Sequence, residues 1–362
     1  MTTSQEVRDL LSTVQEPELH RDIVSLNMVK SIHLNGTSLK IVVELTTPAC
    51  PMKDELKARI EKALSVLKDI LAIQIEFTSR VIQAKPVSAK SAIPGVKNVI
   101  AVYACKGGVG KTTVAVNLAV SLAQKGAKVG LLDADIHGPN VPLMMGSSGK
   151  AEVSDNNKIT PFIAHGVKLM SIAYVMNVDA PKIWRGPMVH GAIQQLIRDT
   201  EWGELDYLII DNPPGTGDAQ LTVIQTVPLA GVVIVSTPQA VSLLDGIKGI
   251  GMFQKLNVPV LGLIENMSGF SCPHCHEVSN IFSKNGAQKE AERLEIPFLG
   301  AIPIDPQVVM GGDDGKPVVI SHAQSQSAKI FSNIAEQVAA RVSVLNFQEM
   351  SSFPSVVSGN IA

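Results

Sequence analysis

The run Cys105-Lys106-Gly107-Gly108-Val109-Gly110-Lys111-Thr112-Thr113 constrains this chain more than any other feature. It follows an apolar stretch, residues 99–104, and precedes a helical pattern that reaches about Lys125 and is stopped by Gly126. A strand, a glycine-rich turn and a helix in direct succession aim several backbone N–H groups at one point, where the helix dipole adds partial positive charge. Glycines lack the Cβ that would keep the chain from curling around an anion. The pattern predicts a phosphate loop for ATP, in which Lys111 reaches the β- and γ-phosphates and the Thr112 hydroxyl ligates Mg²⁺. The expected cradle runs from Lys106 through Gly107, Gly108, Val109, Gly110, Lys111 and Thr112 to Thr113. The usual motif begins with glycine; Cys105 stands there instead, while the Gly-Lys-Thr end is intact.

Further apolar runs at 129–132, 207–210, 232–235, 258–264 and 298–302 alternate with helical patterns. Unbroken runs of this kind belong to strands covered on both faces. They predict an α/β fold: a mostly parallel sheet with helices on both faces, closed by a helix at 328–344. Ligands of such sheets bind at the carboxyl ends of the strands, where Asp133, Asp135 and Asp211 fall. Asp211 reads as the carboxylate that holds the magnesium shell. Asp135 is the candidate for orienting the attacking water, with Asp133 in support. Lys106, a second lysine inside the loop, makes the segment resemble the deviant Walker A ATPases of cell-division positioning, partition and anion pumping. That resemblance implies that Lys106 acts across a dimer interface on the partner's nucleotide, where a cation stabilises charge in phosphoryl transfer.

At 362 residues the chain is long enough for two domains. Residues 1–82 read as a small α+β unit, with Leu39, Ile41, Val43 and Leu45 alternating in a strand and a helix starting near Lys53. Residues 83–97, rich in proline and serine, read as a linker; 98–346 is the expected ATPase domain and 347–362 a loose tail. Charged residues are only 18% and hydrophobic ones 45%, which excludes a mainly disordered chain. A net charge of −2 and 4% aromatics disfavour nucleic acid as a partner. No signal peptide and no membrane-length apolar run is visible, so a cytoplasmic protein without a membrane partner is expected.

Of the four cysteines, only Cys272 and Cys275 are close together, in Cys272-Pro273-His274-Cys275-His276. A zinc knuckle within one chain needs four ligands, and His274 and His276 lie too near the cysteines to complete a tetrahedron. A redox pair should open a long helix, yet 278–286 carries no helical stripe. Two copies of the chain would supply four thiolates, the number a [4Fe–4S] cluster takes. A homodimer already implied by Lys106 favours this third reading; bridged zinc and redox or structural cysteines stay open.

Four stretches complete the picture: Asp133-Ala134-Asp135-Ile136-His137-Gly138-Pro139-Asn140, Asp211-Asn212-Pro213-Pro214-Gly215-Thr216-Gly217-Asp218, Glu265-Asn266-Met267-Ser268-Gly269-Phe270 and Cys272-Pro273-His274-Cys275. Through them the chain resembles the Mrp/ApbC family of P-loop iron–sulfur cluster carriers over nearly its whole length. The resemblance implies transient binding of a [4Fe–4S] cluster, delivered by a scaffold or donor protein and passed to apo iron–sulfur proteins, with ATP hydrolysis required. It also implies that Asn266 contacts the nucleotide base. Glu16-Pro17-Glu18, Asp22-Ile23-Val24-Ser25-Leu26 and Thr46-Thr47-Pro48-Ala49-Cys50-Pro51 resemble the MIP18-like domain often fused to these carriers. Cys50, before Pro51 at an expected helix start, is either a relay thiolate or a buried first-turn residue. The competing functions are a membrane- or nucleoid-positioning ATPase, disfavoured by a C-terminal region poor in cations, and a Cys-x-x-Cys thiol oxidoreductase.

Overall fold

Alternating burial organises the N-terminal part of the chain. The computed structural model of the protein describes residues 2–84, 92–176, 186–215, 217–272, 275 and 277–351. Helix α1 (Ser4–Leu11) leads to strands β1 (Val29–Asn35) and β2 (Ser38–Leu45), helix α2 (Lys53–Leu64) and strand β3 (Ala72–Ser79). Leu39, Ile41, Val43 and Leu45 of β2 are buried, while Leu56, Ile60 and Leu64 form the matching stripe of α2. The strands make a sheet in the order β1-β2-β3, antiparallel on one side and parallel on the other. Strand β1 and helix α1 were not evident in the sequence.

Helix α2 starts at Lys53 with Met52 as its cap, so Pro51 lies in the preceding turn rather than at the first helical position. Cys50 is half-buried against the core of this unit. In the same unit, burial pushes the Glu18 carboxyl up from 4.5 to about 7, with the Glu16 carboxylate adding to the push. Such a group binds its proton more tightly in the fold, so its stabilising contribution is full below pH 4.5 and fades as pH rises to about 7. Glu18→Gln should match wild type near the low end. It should exceed wild type by about 1 kcal/mol above the high end, discounting the shift for partial exposure. Denaturant titrations at both ends check this; a pH-independent difference would remove Glu18 as the cause.

The second unit is built around strand β4 (Val96–Tyr103), helix α3 (Lys111–Gln124) and strand β5 (Val129–Asp133). Then come α4 (Val141–Met144), β6 (Phe162–Ala164), β7 (Val167–Ser171), α5 (Ile172–Val175), α6 (Gly186–Asp199), β8 (Leu205–Asp211) and α7 (Asp218–Thr226). The remainder is β9 (Gly231–Ser236), α8 (Ala240–Lys255), β10 (Val260–Ser271), β11 (Val278–Ser279), α9 (Gly286–Arg293) and β12 (Phe298–Ile304). After these come α10 (Pro306–Asp313), α11 (Val318–Ser321) and α12 (Gln326–Ser351), the last of which belongs to the second unit only as far as Val338. The sheet order is β11-β10-β9-β4-β8-β5-β7-β6, with β12 also on β10. All pairings are parallel except β6–β7 and β10–β11.

Strand β4 is fully covered and flanked by β8 and β9, so the chain leaves it at the point where strand order reverses, the usual place for a ligand. Helix α3 is sealed at its far end by Gly126 at φ +92°: Gly126 N–H donates to Ala123 O and Ala127 N–H to Leu122 O. Contact within the chain divides it into Met1–Ile82 with the segment from Ala339 onward, and Gln83–Val338.

Two expected boundaries are corrected. Val96 and Lys97, placed in the linker, are the first residues of β4: Val96 is buried and Lys97 Nζ sits 2.8 Å from Asp206 Oδ1. Residues 347–351, placed in the tail, continue α12, where Asn346 Nδ2 donates to Ile82 O at 3.0 Å and Arg21 lies over the Phe347 ring. Linker residues 85–91 and tail residues 352–362 lie outside the described residues. Among the described residues no helix is long and apolar enough to cross a membrane.

Candidate functional site

Loop 105–110 bends where the sequence has no side chain to obstruct it. Gly108 and Gly110 adopt φ +78° and +83°, values open to glycine and strained elsewhere. Gly110 caps α3, and Lys111 is the first helical residue. The loop opens onto a cleft of about 420 Å³. Of the expected residues, Lys106, Gly107, Gly108, Gly110, Lys111, Thr112, Thr113 and Asp135 line it. Val109 is buried behind the loop.

Strands β5 and β8 end in register, Asp133 opposite Asp211, which puts two buried carboxylates side by side beneath the loop. The Lys111 ammonium contacts Asp211 Oδ1, and Thr112 Oγ1 donates to Asp211 Oδ2 at 2.7 Å. Asp133 accepts from Asp135 N–H at 3.1 Å, Val141 N–H at 3.2 Å and Ser171 Oγ at 3.2 Å. Burial pushes both carboxyl groups up, and Asp211 adds to the push on Asp133, whereas Lys111 pulls Asp211 back down. The carboxyl oxygens of both residues and the Thr112 hydroxyl beside Asp211 are hard oxygen donors, and a bound cation would favour their ionised form; the site is chemically suited to a hard cation.

Two long-range partners were beyond sequence reasoning. Lys106 Nζ lies 3.4 Å from Asp245 Oδ2 on α8, and Lys248 Nζ lies 3.1 Å from the other oxygen of the same carboxylate. Cys105 Sγ donates to Tyr103 Oη at 3.4 Å, and Tyr103 Oη donates to Gly215 O at 2.7 Å. The sulfur faces Gly249 of α8, where a Cβ would meet it at 2.8 Å. Burial pushes the Cys105 thiol up, outweighing these hydrogen bonds. Under iodoacetamide near neutral pH, Cys105 should react at least about ten-fold more slowly than exposed Cys275, read by peptide mass spectrometry. Equal rates would mean that the loop leaves α8 readily.

Asn266 is buried and donates from Nδ2 to Val109 O at 2.8 Å; it is not among the cleft-lining residues. The cysteine pair stands between β10 and β11, half-buried Cys272 directly following the longer strand and Cys275 exposed. The segment after it is a strand, so the pair does not open a helix. Thr216, Pro273, His274 and His276 lie outside the described residues. Among the described residues no group of three or more His, Cys, Asp or Glu is placed to hold a metal ion.

Comparison with known proteins matches this architecture. Residues 95–339 fit the family described as NUBPL iron-transfer P-loop NTPase, and residues 4–77 fit the family described as iron–sulfur cluster assembly protein. An iron–sulfur cluster carrier protein of Synechocystis is 45% identical over 95% of this chain and 99% of its own length. That of Deinococcus radiodurans is 47% identical over 94% of this chain and 96% of its own. Among solved structures, the nucleotide-binding protein of Archaeoglobus fulgidus in complex with ADP superposes with TM-score 0.55 at 41% identity, covering 61% of this chain and 88% of that one. A phosphate loop at the switch point, carboxylates beneath it and two thirds of the chain in one family profile lead to one conclusion: this chain belongs to the NUBPL-type iron-transfer P-loop NTPases, the ATPases that serve as iron–sulfur cluster carriers.

Proposed function

We propose that two copies of this chain bind one [4Fe–4S] cluster through Cys272 and Cys275 of each, and that the ATPase cycle governs its transfer to apoproteins in the cytoplasm. The observation that carries this reading is spatial. The phosphate loop, the paired carboxylates and β10 with its cysteines all occupy the carboxyl edge of one sheet. Two thiolates per chain leave a cluster half-ligated, and a symmetric pair completes it. Recipient apoproteins and a donor scaffold are the partners such a cargo requires.

In this reading Thr112 and Asp211 hold magnesium, which neutralises charge on the transferring phosphate when bound. Lys111 and the N–H groups of the loop hold the phosphates. Asp135, on the cleft wall, orients water, and the three hydrogen bonds to Asp133 fix the turn that carries it. Lys106 serves the partner's nucleotide, for which it must leave Asp245. Lys106→Ala should therefore lower turnover roughly 10²-fold or more while changing nucleotide affinity far less. Sedimentation with and without ATP is the companion measurement. Equal losses in affinity and turnover, or a monomer under every ligand condition, would refute the shared site.

A further inference from the structure

One strand joins the phosphate loop to the cysteine pair. Leu263, Ile264 and Glu265 of β10 pair with β9 on one side and β12 on the other, in unbroken register with β9 and with one shift, between Leu263 and Ile264, against β12. At the next residue Asn266 holds the Val109 carbonyl, and it lies so near Gly110 that a Cβ there would be 2.1 Å from the same nitrogen. Beyond Asn266 the ladder breaks. Pairing with β12 resumes only at Phe270 opposite Ile304, and the interval holds Met267 at φ +59° and Gly269 at φ +80°.

A methionine in the left-handed region persists only where its surroundings impose it. Glu265 supplies that imposition. Its buried carboxylate accepts from Ser268 Oγ at 2.5 Å and from Ala287 N–H, at the start of α9, at 2.7 Å. Past this bulge the strand turns to β11, with Phe270 opposite Ser279 and Ser271 opposite Val278, and Cys272 N–H donates to Glu277 O at 3.0 Å.

We propose that the bulge at 265–269 is a relay that sets the accessibility of Cys272 and Cys275 according to the occupancy of the phosphate loop. The link is a single peptide plane. Val109 C=O and Gly110 N–H belong to one rigid trans amide, so an anion that fixes the N–H also fixes the direction of the carbonyl. That carbonyl is the acceptor of Asn266, which is the residue next to Met267. Filling the loop therefore tightens Asn266, and a tightened Asn266 restrains the bulge and the strand end that carries Cys272. Asn266 is a positioning residue here, acting on the nucleotide through the loop backbone. Linkage makes the effect reciprocal: a ligand on the cysteines changes nucleotide affinity by the same factor. The relay rests on the carrier reading for the cargo it serves.

The test is peptide-resolved iodoacetamide alkylation of Cys272 and Cys275 in the reduced full chain, with and without saturating MgADP, and with sedimentation in parallel. Wild-type protein should be alkylated about five-fold more slowly with MgADP, the low end of measured site–site couplings. Asn266→Ala and Ser268→Ala should each lose that response at saturation; should Asn266→Ala not saturate, Ser268→Ala decides alone. No response in wild type, or a full response in a saturated variant, overturns the relay. Iron loading is measured separately. Absent iron with an intact response removes the carrier reading alone, and bound iron without a response removes the relay alone.

Discussion

Anaerobic reconstitution with iron and sulfide should give about four irons per two wild-type chains, and Cys272→Ala or Cys275→Ala should reduce that to background. The expected loss is all-or-none because a dimer lacking one thiolate per chain retains two of four ligands. Cys275 is exposed, and alanine at 272 keeps the backbone N–H that donates to Glu277 O. Cys105→Ala and Cys50→Ala are the controls: one thiol sits against Tyr103 and Gly249, the other in the separate N-terminal core, and neither change should alter iron content. An iron assay with absorption spectra decides the matter. Iron uptake indifferent to both Cys272 and Cys275 would end the assignment.

Gly110→Ala should be the most damaging single substitution in the loop, and Gly108→Ala measures why. Both glycines have positive φ, so alanine at either position costs about 1 kcal/mol in backbone strain. Around Gly108 a Cβ meets nothing within 4 Å, whereas at Gly110 it would lie 2.1 Å from Asn266 Nδ2. Asn266 must then release Val109 O, leaving a buried amide without its partner at a further cost of about 1–3 kcal/mol. Gly110→Ala should thus lose about 2–4 kcal/mol of stability. Its nucleotide affinity should also fall at least about 10²-fold, since 1.4 kcal/mol is ten-fold and several loop donors move together. Calorimetry and nucleotide titration of the two variants test this. Equal effects would show that the Asn266 contact is immaterial.

What could be read from the sequence was what repeats or clusters locally. The phosphate loop announced itself because Gly107, Gly108, Gly110 and Lys111 fall within five consecutive positions and stand between a strand and a helix. The parallel sheet was legible because β4, β5, β8 and β9 are covered on both faces and read as unbroken apolar runs. Strand β10 was seen only as far as Ile264. Its continuation through Glu265, Asn266 and Ser268 is polar, and these residues are held by partners on the loop and on α9. Strands β6 and β7 escaped because Phe162–Ala164 is short and its mate alternates through Lys168. Asp245 carried no local signal at all, since its role depends on Lys106, far away in sequence. Periodicity reports which face of an element is buried; it is silent on which distant side chain meets it.

The contact between Cys105 and Gly249 has a bearing on how this chain can vary. The room between the first residue of the loop and helix α8 is bounded by the Tyr103 ring, which a Cβ at 249 would also strike, at 2.7 Å. Positions 105 and 249 thus draw on one shared volume, and here the loop occupies it. Glycine at 105 would clear only the sulfur from that volume, and alanine at 249 would still require the Tyr103 ring to move; none of the three positions can drift without regard to the others, however remote they are along the polypeptide.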